Sequence, residues 1–257
     1  MTETSDTIES AVEREFLRPS KRRPHYLERI SIYNALKQVR HKVKSGIILD
    51  VGCGMKPYKS LLNTSDSIYY GTDYPITMEG SYGKSTKADF FSESTLLPFK
   101  NNTFDTILST QMLEHVSDPK NVIQEMSRVL KPKGIMILSA PMTWPLHEEP
   151  YDFFRYTLHG LRHLLQKANF EILDEIPRGN NFITMAQMLL DTQLNNSSQS
   201  FLKRLYSVTL SLVVNQLCSV INIFKPAQRL CLGWVMVVKK CPSKTYPPTN
   251  INNLVKI

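Results

Sequence analysis

The stretch Ile47-Ile48-Leu49-Asp50-Val51-Gly52-Cys53-Gly54 decides the fold of this protein. Its first five residues form a short apolar run rich in β-branched side chains, which is typical of a strand buried on both faces. Gly52 and Gly54 follow at once, and because they have no Cβ they let the backbone approach a ligand closely. Pro57 suits the first turn of a helix. The stretch therefore predicts a strand, a glycine turn that can hold a ligand, and a helix.

Further short apolar segments alternate with helical patterns along the chain. Helices are predicted over 26–44, from a cap at Asp118 to Leu130, and from a cap at Thr157 to Ala168, because apolar residues recur there at threes and fours. Six more strands are predicted at 67–72, 87–90, 104–109, 135–139, 170–176 and 231–240. This alternation predicts an α/β fold with a parallel sheet covered by helices on both faces.

The composition excludes several classes of protein. The 257 residues are 42% hydrophobic and include only 10 Gly and 4 Cys, which excludes a disordered chain, a collagen-like chain and a disulfide-dense scaffold. No two cysteines form a C-x-x-C pair, so four reduced thiols are expected. The polar, acidic start does not resemble a signal peptide, and no uninterrupted run of 18 apolar residues occurs. We therefore expect a cytoplasmic location.

Positive charge is concentrated near the N-terminus. Residues 11–44 hold ten Lys or Arg and three Glu, so this segment carries +7 of the net charge of +8. It could steer an anionic substrate, a nucleic acid or a membrane surface, or it could simply be a solvated helix face with a basic arm. No RNA-binding pattern of interleaved aromatic residues accompanies it, so a nucleic-acid partner is not favoured. We expect residues 1–24 to be a flexible arm, and residues 1–44 to precede a main domain over 45–257.

The residues around the glycine turn indicate the kind of ligand. Asp73 follows Gly54 by 19 residues at the end of the second predicted strand, where a carboxylate can bind both hydroxyls of a ribose. The position of the third glycine of a dinucleotide site is Pro57, and no Walker-type Gly-Lys-Ser/Thr is present. Asp50 would also repel a phosphate. These features favour an adenosine-type cofactor that carries no phosphate.

Four motifs in order resemble class I S-adenosylmethionine (SAM) dependent methyltransferases of the type-11-like (UbiE-like) branch. They are Ile48-Leu49-Asp50-Val51-Gly52-Cys53-Gly54, Leu97-Pro98-Phe99 with Phe104-Asp105, Leu113-Glu114-His115-Val116, and Arg128-Val129-Leu130-Lys131-Pro132-Lys133-Gly134. The resemblance covers about residues 45–176, with the last strand at 231–240. It implies a Rossmann-like, mostly parallel sheet of seven strands whose last strand is antiparallel, and it implies SAM as the cofactor.

The resemblance also implies a role for each matching residue. Those expected at the cofactor are Asp50 near the SAM amino group, Gly52, Cys53 and Gly54 along the methionine part, Asp73 on the ribose, Tyr74 beside the adenine, Asp89 and the Phe90 backbone at the adenine amino group, and Ser109 and Gln111 facing the methionine part and the substrate. Structural alternatives stand beside these roles: the glycines could end a strand, Asp73 could cap a turn, and Cys53 could be a small buried side chain.

The segment 141–157 follows the fifth strand and is dense in His, acidic, Arg and aromatic residues, so it is predicted to form a wall of the substrate site. Trp144, Tyr151 and Arg155 are its candidate substrate contacts. A hydroxyl acceptor needs a base, for which His147 is the first candidate and His115 the second. Equally, His147 and Arg155 could pin the loop, and His115 could be structural. No metal site is expected.

An insertion is predicted at about 177–230, before the last strand. Within it, Leu205–Phe224 is mostly apolar, carries no charge, and has a narrow polar stripe. It could be an interfacial membrane helix, a lid over a lipid-like substrate, or a helix buried against the domain or a second subunit. Burial is slightly favoured, peripheral membrane contact stays open, and the oligomeric state is not determined by the sequence.

These observations predict a SAM-dependent methyltransferase that acts on a small-molecule acceptor, with oxygen as the favoured target and a glycan- or lipid-linked acceptor as a weaker expectation. An RNA or protein methyltransferase is the alternative suggested by the basic segment. A SAM-binding scaffold without catalysis is the other alternative, because an intact cofactor site does not by itself prove that the protein transfers a methyl group.

Overall fold

The computed structural model describes residues 5–74, 86–194, 201–224 and 227–242. The helices are α1 (Ser5–Leu17), α2 (Tyr26–Val39), α3 (Lys59–Leu62), α4 (Pro119–Val129), α5 (Leu158–Lys167), α6 (Asn181–Leu194) and α7 (Phe201–Ile221), with 3-10 turns at Arg40–Lys42, Leu113–His115 and Asn222–Phe224. The strands are β1 (Ile47–Val51), β2 (Ile68–Asp73), β3 (Phe90–Phe91), β4 (Phe104–Thr110), β5 (Leu130–Pro141), β6 (Phe170–Arg178) and β7 (Gly233–Lys240).

The strands form one seven-stranded sheet in the order β3-β2-β1-β4-β5-β7-β6. Strands β1 to β5 run parallel, whereas β7 pairs antiparallel with both β5 and β6. The Rossmann-like fold predicted from the sequence is confirmed, including the antiparallel last strand. The strand order reverses at β1, so the carboxyl ends of β1 and β4 border the crevice where open α/β sheets bind ligands.

Successive residues of the central strands point to opposite faces, and each face has its own core. Leu49 packs with Met126 of α4 and Leu161 of α5 in one buried cluster. Ile48, its neighbour in sequence, packs with Leu36 of α2 in the other cluster. Both faces of the sheet are therefore covered, which explains why β1 is an unbroken apolar run.

The predicted helix caps are present. The Asp118 carboxylate accepts a hydrogen bond from the Asn121 backbone N–H at 3.1 Å, and Thr157 Oγ1 accepts one from the Gly160 N–H at 3.1 Å. Each bond satisfies a donor that the first turn of a helix leaves free. The caps fix where α4 and α5 begin, and therefore where the loops at the carboxyl edge of the sheet end.

The Arg128 motif is structural. The Arg128 guanidinium is buried and donates to the Leu97 carbonyl at 2.9 Å, to the Phe99 carbonyl at 2.8 Å, and to the Glu125 carboxylate at 2.8 Å. Glu125 in turn accepts the Leu97 N–H at 3.0 Å. The motif at 128–134 thus clamps the Leu97-Pro98-Phe99 segment to α4.

The N-terminal prediction needs a correction. A flexible arm over residues 1–24 is wrong for Ser5–Leu17, which form α1. Phe16 of this helix packs edge-on against Tyr58, with ring centroids 5.9 Å apart, and the Arg29 guanidinium lies 4.8 Å from the Phe16 ring. These contacts join residues far apart in sequence, so local charge gave no sign of them. Helix α2 packs on the sheet and is part of the domain core.

The insertion between β6 and β7 consists of α6 and α7, and α7 is oriented unlike an ordinary surface helix. Ser211, Asn215 and Cys218 are its buried residues, whereas large apolar side chains on its other sides are exposed. Residues Phe201–Phe224 are long and apolar enough to cross a membrane, with a mean hydropathy of 1.6 over the best window and 17% of that window buried. The polar stripe found in the sequence therefore faces the protein.

Candidate cofactor and substrate site

The glycine turn after β1 has the backbone shape that only glycine adopts easily. Gly52 has φ of +72° and Gly54 has φ of +47°. A Cβ on Gly52 would lie 2.3 Å from Met112 Cγ, so this position is closed by protein. Among the described residues, a Cβ on Gly54 would meet nothing within 4 Å. Gly54 therefore borders open space at the edge of the sheet, while Gly52 lets the segment after β4 pack closely.

Asp73 faces this turn, as the sequence predicts. Its Oδ2 atom accepts a hydrogen bond from the Gly54 N–H at 2.9 Å, and Thr86 Oγ1 lies 3.2 Å from the same oxygen. The ends of β1 and β2 are also joined by bonds from the Gly52 and Cys53 N–H groups to the Thr72 carbonyl. The carboxylate is thus beside the open face of the glycine turn, where a ribose would lie.

Asp50 is a buried carboxylate with one unsatisfied oxygen. Tyr69 donates its hydroxyl to Oδ2 at 2.7 Å, whereas Oδ1 is buried and has no hydrogen-bond partner among residues 5–74, 86–194, 201–224 and 227–242. Burial raises the pKa of Asp50 to about 7, against smaller lowering effects of the Tyr69 hydrogen bond and of Lys56. A buried acceptor without a donor is unfavourable, so this oxygen suits a cationic amino group arriving at the turn.

The residues predicted at the adenine have protein partners. Asp89 Oδ2 accepts the Gly71 N–H at 2.7 Å and the Lys56 ammonium at 2.5 Å. Phe90 packs against the rings of Tyr70 and Phe99. Tyr74 is exposed beside a part of the chain that lies outside the described residues. Their adenine roles stay predictions, and Lys56 is an additional charge at this end of the site.

Cys53 is buried, and burial raises the pKa of its thiol well above the ordinary value. Its side chain fits the sequence alternative of a small buried residue, which leaves the backbone role beside the cofactor as a prediction.

Ser109 does not face the cleft, which corrects its predicted side-chain role. It is fully buried, and its hydroxyl donates to the Val51 carbonyl at 3.0 Å, where it bridges β4 to β1. Gln111 lies at the edge with φ of +50° and donates to Ser139 Oγ at 2.7 Å. Its carbonyl oxygen accepts a bond from Arg178. Gln111 is therefore held by protein on both ends of its amide.

Arg178 is a buried cation that sequence reasoning missed. It is 1% exposed, forms an ion pair with Glu28 of α2 at 2.7 Å, and also binds Gln111. Its only signal in the sequence was its position at the end of a strand, because both partners lie more than 60 residues away. It links the end of β6, where the insertion begins, to the segment after β4.

The loop 141–157 lies against the segment after β4. Backbone N–H groups of Phe153 and Phe154 donate to the Glu114 carbonyl, and the Tyr156 hydroxyl donates to the Leu113 carbonyl at 2.9 Å. These bonds bring the two sequence motifs together at the carboxyl edge of the sheet. Tyr151 is exposed on the loop, and Trp144 is half-buried with its ring 6.3 Å from that of His25. Their substrate roles stay predictions.

Arg155 holds the loop together, which corrects its prediction as a substrate contact. Its guanidinium donates to the Trp144, Pro145 and Phe154 carbonyls and to both oxygens of Asp152. These bonds use all five N–H groups of the side chain. The same bonds lower the pKa of Asp152 to about 2, so the carboxylate stays ionised. These contacts fit the alternative given above, in which Arg155 pins the loop.

The two candidate bases lie side by side. The rings of His115 and His147 meet edge to face with centroids 4.7 Å apart. His115 Nδ1 lies 2.9 Å from the Tyr151 carbonyl, and His147 Nδ1 lies 3.2 Å from Asp152 Oδ2. Burial lowers the pKa of His115, so its neutral form is favoured. The fold thus brings together the two histidines that were predicted as alternative candidates for the base.

Glu114 completes this group. It is 1% exposed, its Oε1 atom lies 3.9 Å from His115 Nε2, and its Oε2 atom is buried with no hydrogen-bond partner in the described part of the chain. Burial raises the pKa of Glu114 to about 8. Ligand atoms of Glu114, His115 and His147 all lie within 4.8 Å of one another, a grouping that could hold a metal ion. The expectation of no metal site missed this cluster, because His147 is far from Glu114 in sequence.

Residues 49–138 match the family model described as a methyltransferase domain of type 11. The match begins in β1 and ends in β5, so it contains the glycine turn, Asp73 and the Leu-Glu-His segment. The core of the chain is therefore a class I SAM-dependent methyltransferase domain. The match covers about a third of the chain, and SAM is the cofactor of that family.

Curated relatives match only part of the chain. An uncharacterised protein of Methanocaldococcus jannaschii is 34% identical over 103 residues, which is 40% of this chain and 44% of that protein. A ubiquinone biosynthesis O-methyltransferase of Histophilus somni is 30% identical over 105 residues, or 36% of this chain and 43% of that enzyme. A sterol 24-C-methyltransferase of Aspergillus fumigatus is 32% identical over 36% of this chain and 27% of that enzyme. The chain spans less than half the length of these relatives.

Solved structures show the fold over more of the chain. The [4+2]-cyclase SpnF aligns with a TM-score of 0.52 at 20% identity, covering 85% of this chain and 83% of that one. A putative methyltransferase complexed with the Haloferax volcanii activator Trm112 aligns with a TM-score of 0.52 at 15% identity, covering 91% and 99%. Since one of these is named a cyclase, the fold by itself does not fix the reaction.

The residues present fit SAM. The open space beside Gly54 accepts a ligand against the backbone, Asp73 supplies a carboxylate at the turn, and the unsatisfied Asp50 oxygen can accept an ammonium donor. These groups would hold the methionine part and the ribose.

Gly54→Ala should separate cofactor binding from folding. The methyl group would enter the open space beside the turn, so we expect SAM affinity to fall by about 10- to 100-fold by calorimetry. The left-handed backbone should lower the free energy of unfolding by only about 1–2 kcal/mol. Gly52→Ala is the matched variant, and it should destabilise the protein more because its Cβ meets Met112. Undiminished SAM affinity in Gly54→Ala would contradict this site.

Asp50→Asn should stabilise the ligand-free protein at neutral and alkaline pH while weakening SAM binding. The pKa of Asp50 is about 7 in the folded protein and about 3.8 when unfolded, so the folded state holds the extra proton between these values. The free energy of unfolding therefore falls as pH rises from about 4 to 7, by at most about 4 kcal/mol.

In Asp50→Asn this fall with pH should disappear from urea unfolding curves, and SAM affinity should drop by about 10- to 100-fold through loss of a charged hydrogen bond. Unchanged pH dependence of unfolding would show that Asp50 is already ionised in the folded protein.

Proposed function

We propose that this protein transfers a methyl group from SAM to a hydroxyl oxygen of a small-molecule acceptor. The observation that carries the proposal is the glycine turn, where the Asp73 carboxylate accepts the Gly54 N–H beside open space and where Asp50, near the end of β1, keeps a buried oxygen with no partner among the described residues. When bound, SAM supplies an activated methyl group on a sulfonium. The Histophilus O-methyltransferase among the relatives supports oxygen as the target.

The work of the chain's own residues in such a transfer is to position the acceptor and to take its proton. Positioning in line with the sulfonium can contribute about 7–11 kcal/mol to lowering the barrier. The loop 141–157 supports this role, because Arg155 and Asp152 hold it rigidly. The acceptor's proton would leave at the His115–His147 pair, which lies where the segment after β4 meets the loop 141–157.

The acceptor would be lipid-linked. The exposed large apolar side chains of α6, α7 and the 3-10 turn after α7 form a surface that we call the apolar face: Phe182, Met185, Leu189, Phe201, Leu202, Leu205, Tyr206, Leu212, Val213, Leu217, Val220, Ile223 and Phe224. A concentration of exposed apolar side chains on one pair of helices is typical of an interaction site. An enzyme whose substrate is anchored in a bilayer needs such a face.

The occupant that fits the apolar face is an anionic membrane surface. Asn215 on the inner side of α7 donates to the Lys21 carbonyl at 2.8 Å, and Lys21 Nζ donates to Gln216 Oε1 at 2.9 Å. These bonds fix the basic segment 18–23 alongside the helix, with Arg18, Arg22 and Arg23 exposed. The apolar side chains would enter the acyl region of an anionic bilayer, and the cations beside them would contact its negatively charged headgroups. Because Ser211 and Asn215 are buried against protein, the helix would lie along the membrane and would not cross it.

Incubation of the protein with isotopically labelled SAM and fractionated host extracts tests the proposed reaction. We expect label in a base-stable product of the lipid fraction, and none with Gly54→Ala. Label in RNA or protein would instead support the alternative substrates, and SAM binding without any labelled product would support a scaffold. Failure of the wild type to bind SAM by calorimetry would remove the proposal.

Flotation with vesicles tests the membrane face. The wild type should float with vesicles that contain phosphatidylglycerol. It should remain at the bottom of the gradient when the vesicles are neutral and the salt concentration is high. Substitution of Val213, Leu217 and Val220 by Ser should abolish flotation, and neutralising Arg18, Arg22 and Arg23 should weaken it by about 100-fold, at about 1 kcal/mol per charge. Leu146→Ser, an exposed leucine on the loop, is the control and should float normally. A stable dimer that does not bind vesicles would mean that a second copy of the chain covers the apolar face.

A further inference from the structure

Three side chains with metal-binding atoms, those of Glu114, His115 and His147, converge where two loops meet at the carboxyl edge of the sheet, and the Glu148 carboxylate lies beside His115. Glu114 and His115 belong to the 3-10 turn after β4, and His147 and Glu148 belong to the loop after β5. His115 Nε2 lies 3.9 Å from Glu114 Oε1 and 3.7 Å from Glu148 Oε2. The His147 ring lies edge to face against the His115 ring at 4.7 Å. We call this group the His-Glu cluster.

The histidines are oriented as metal ligands usually are. His115 Nδ1 donates to the Tyr151 carbonyl at 2.9 Å, which directs the lone pair of Nε2 toward the two glutamates. His147 Nδ1 lies 3.2 Å from the carboxylate of Asp152, whose position Arg155 fixes by two hydrogen bonds. Outer hydrogen bonds of this kind set the tautomer and the direction of a ligating imidazole.

The carboxylate of Glu114 provides an independent observation. It is 1% exposed, and its Oε2 atom is buried with no hydrogen-bond partner within the part of the chain that the structure describes. A buried carboxylate oxygen without a donor is unfavourable unless a cation approaches it. The two nearby cations are already paired, since Arg155 binds Asp152 and Arg178 binds Glu28. Neither of them gives the Glu114 oxygen a hydrogen bond.

The geometry points to a divalent metal site, and we propose that the His-Glu cluster binds one Zn²⁺-like transition ion. Ligand atoms about 2.0–2.1 Å from a tetrahedral ion are about 3.3 Å apart, and those of Glu114, His115 and His147 all lie within 4.8 Å of one another, so side-chain shifts of up to about 1.5 Å would bring them to those separations. Two imidazoles with one carboxylate favour a transition ion over Mg²⁺ or Ca²⁺, which prefer ligand sets made entirely of oxygen, and three protein ligands leave the fourth tetrahedral position open.

The site gives the acceptor hydroxyl a defined role, a consequence that rests on the proposed function. Coordination of the acceptor oxygen would lower the pKa of its hydroxyl, as a metal does for bound water. The hydroxyl proton would leave to solvent, the oxygen would form a bond to the methyl carbon, and the electron pair of the broken carbon–sulfur bond would stay on sulfur. With the ion bound, the histidines would hold it instead of taking the acceptor's proton themselves, so the metal replaces the His115–His147 pair as the group that activates the hydroxyl.

Metal binding is measured on the full chain, with any oligohistidine tag removed and the protein first dialysed against a chelator. We expect calorimetry and metal analysis to give one Zn²⁺ per chain for the wild type. His147→Ala and Glu114→Gln should each weaken Zn²⁺ binding by about 100-fold or more while leaving SAM affinity unchanged. His163→Ala, an exposed histidine on α5, is the matched control and should bind Zn²⁺ like the wild type.

Absence of stoichiometric Zn²⁺ binding, or equal binding by the His115→Ala/His147→Ala double variant with a native circular dichroism spectrum, would overturn the site. Methylation that persists undiminished after chelation would overturn its role in the reaction. A wild type that binds Zn²⁺ but not SAM would instead refute the proposed function and leave the metal site intact, so the two failures are distinguishable.

Discussion

The hydrogen bond from the Gly54 amide to the Asp73 carboxylate joins the ends of β1 and β2, and the cofactor site depends on it. The bond requires a backbone at Gly54 that most residues adopt only with strain, since φ is +47°. It also requires that the two strands end at the same level, which the parallel register from Ile47–Ile68 to Val51–Thr72 provides. One backbone donor thus fixes a carboxylate beside the space that Gly54 leaves open.

Around this point the domain places buried charges that the protein only partly satisfies. Asp50 and Glu114 each keep one buried oxygen without a donor, and burial raises the pKa of both carboxyl groups. Arg128 and Glu125, by contrast, form a fully bonded network that serves the fold. The contrast is physical: bonded buried charges hold segments together, and unsatisfied ones border the cleft and the loop, where ligands arrive.

The loop 141–157 and the insertion α6–α7 are the features that distinguish this domain. The loop is rigid because Arg155 uses all its donors inside it, and that rigidity brings His147 against His115. The insertion has its polar residues inside and its apolar residues outside, with a basic segment bonded along it. Both features lie outside the segment that matches the methyltransferase family model, which ends at residue 138.

The sequence by itself determined the sheet, the glycine turn, the caps and the pairing of Asp73 with that turn, because each is encoded by a local pattern or by strand ends that parallel pairing brings together. Only the tertiary structure decided which candidate side chains already bond to other protein groups. It showed that Arg155 and the Ser109 hydroxyl are consumed by protein contacts, that Arg178 is buried beside Gln111, and that residues 5–17 are helical. It also joined His147 to Glu114 and turned the polar stripe of α7 inward. These facts depend on contacts between distant residues, and neither periodicity nor charge along one segment specifies them.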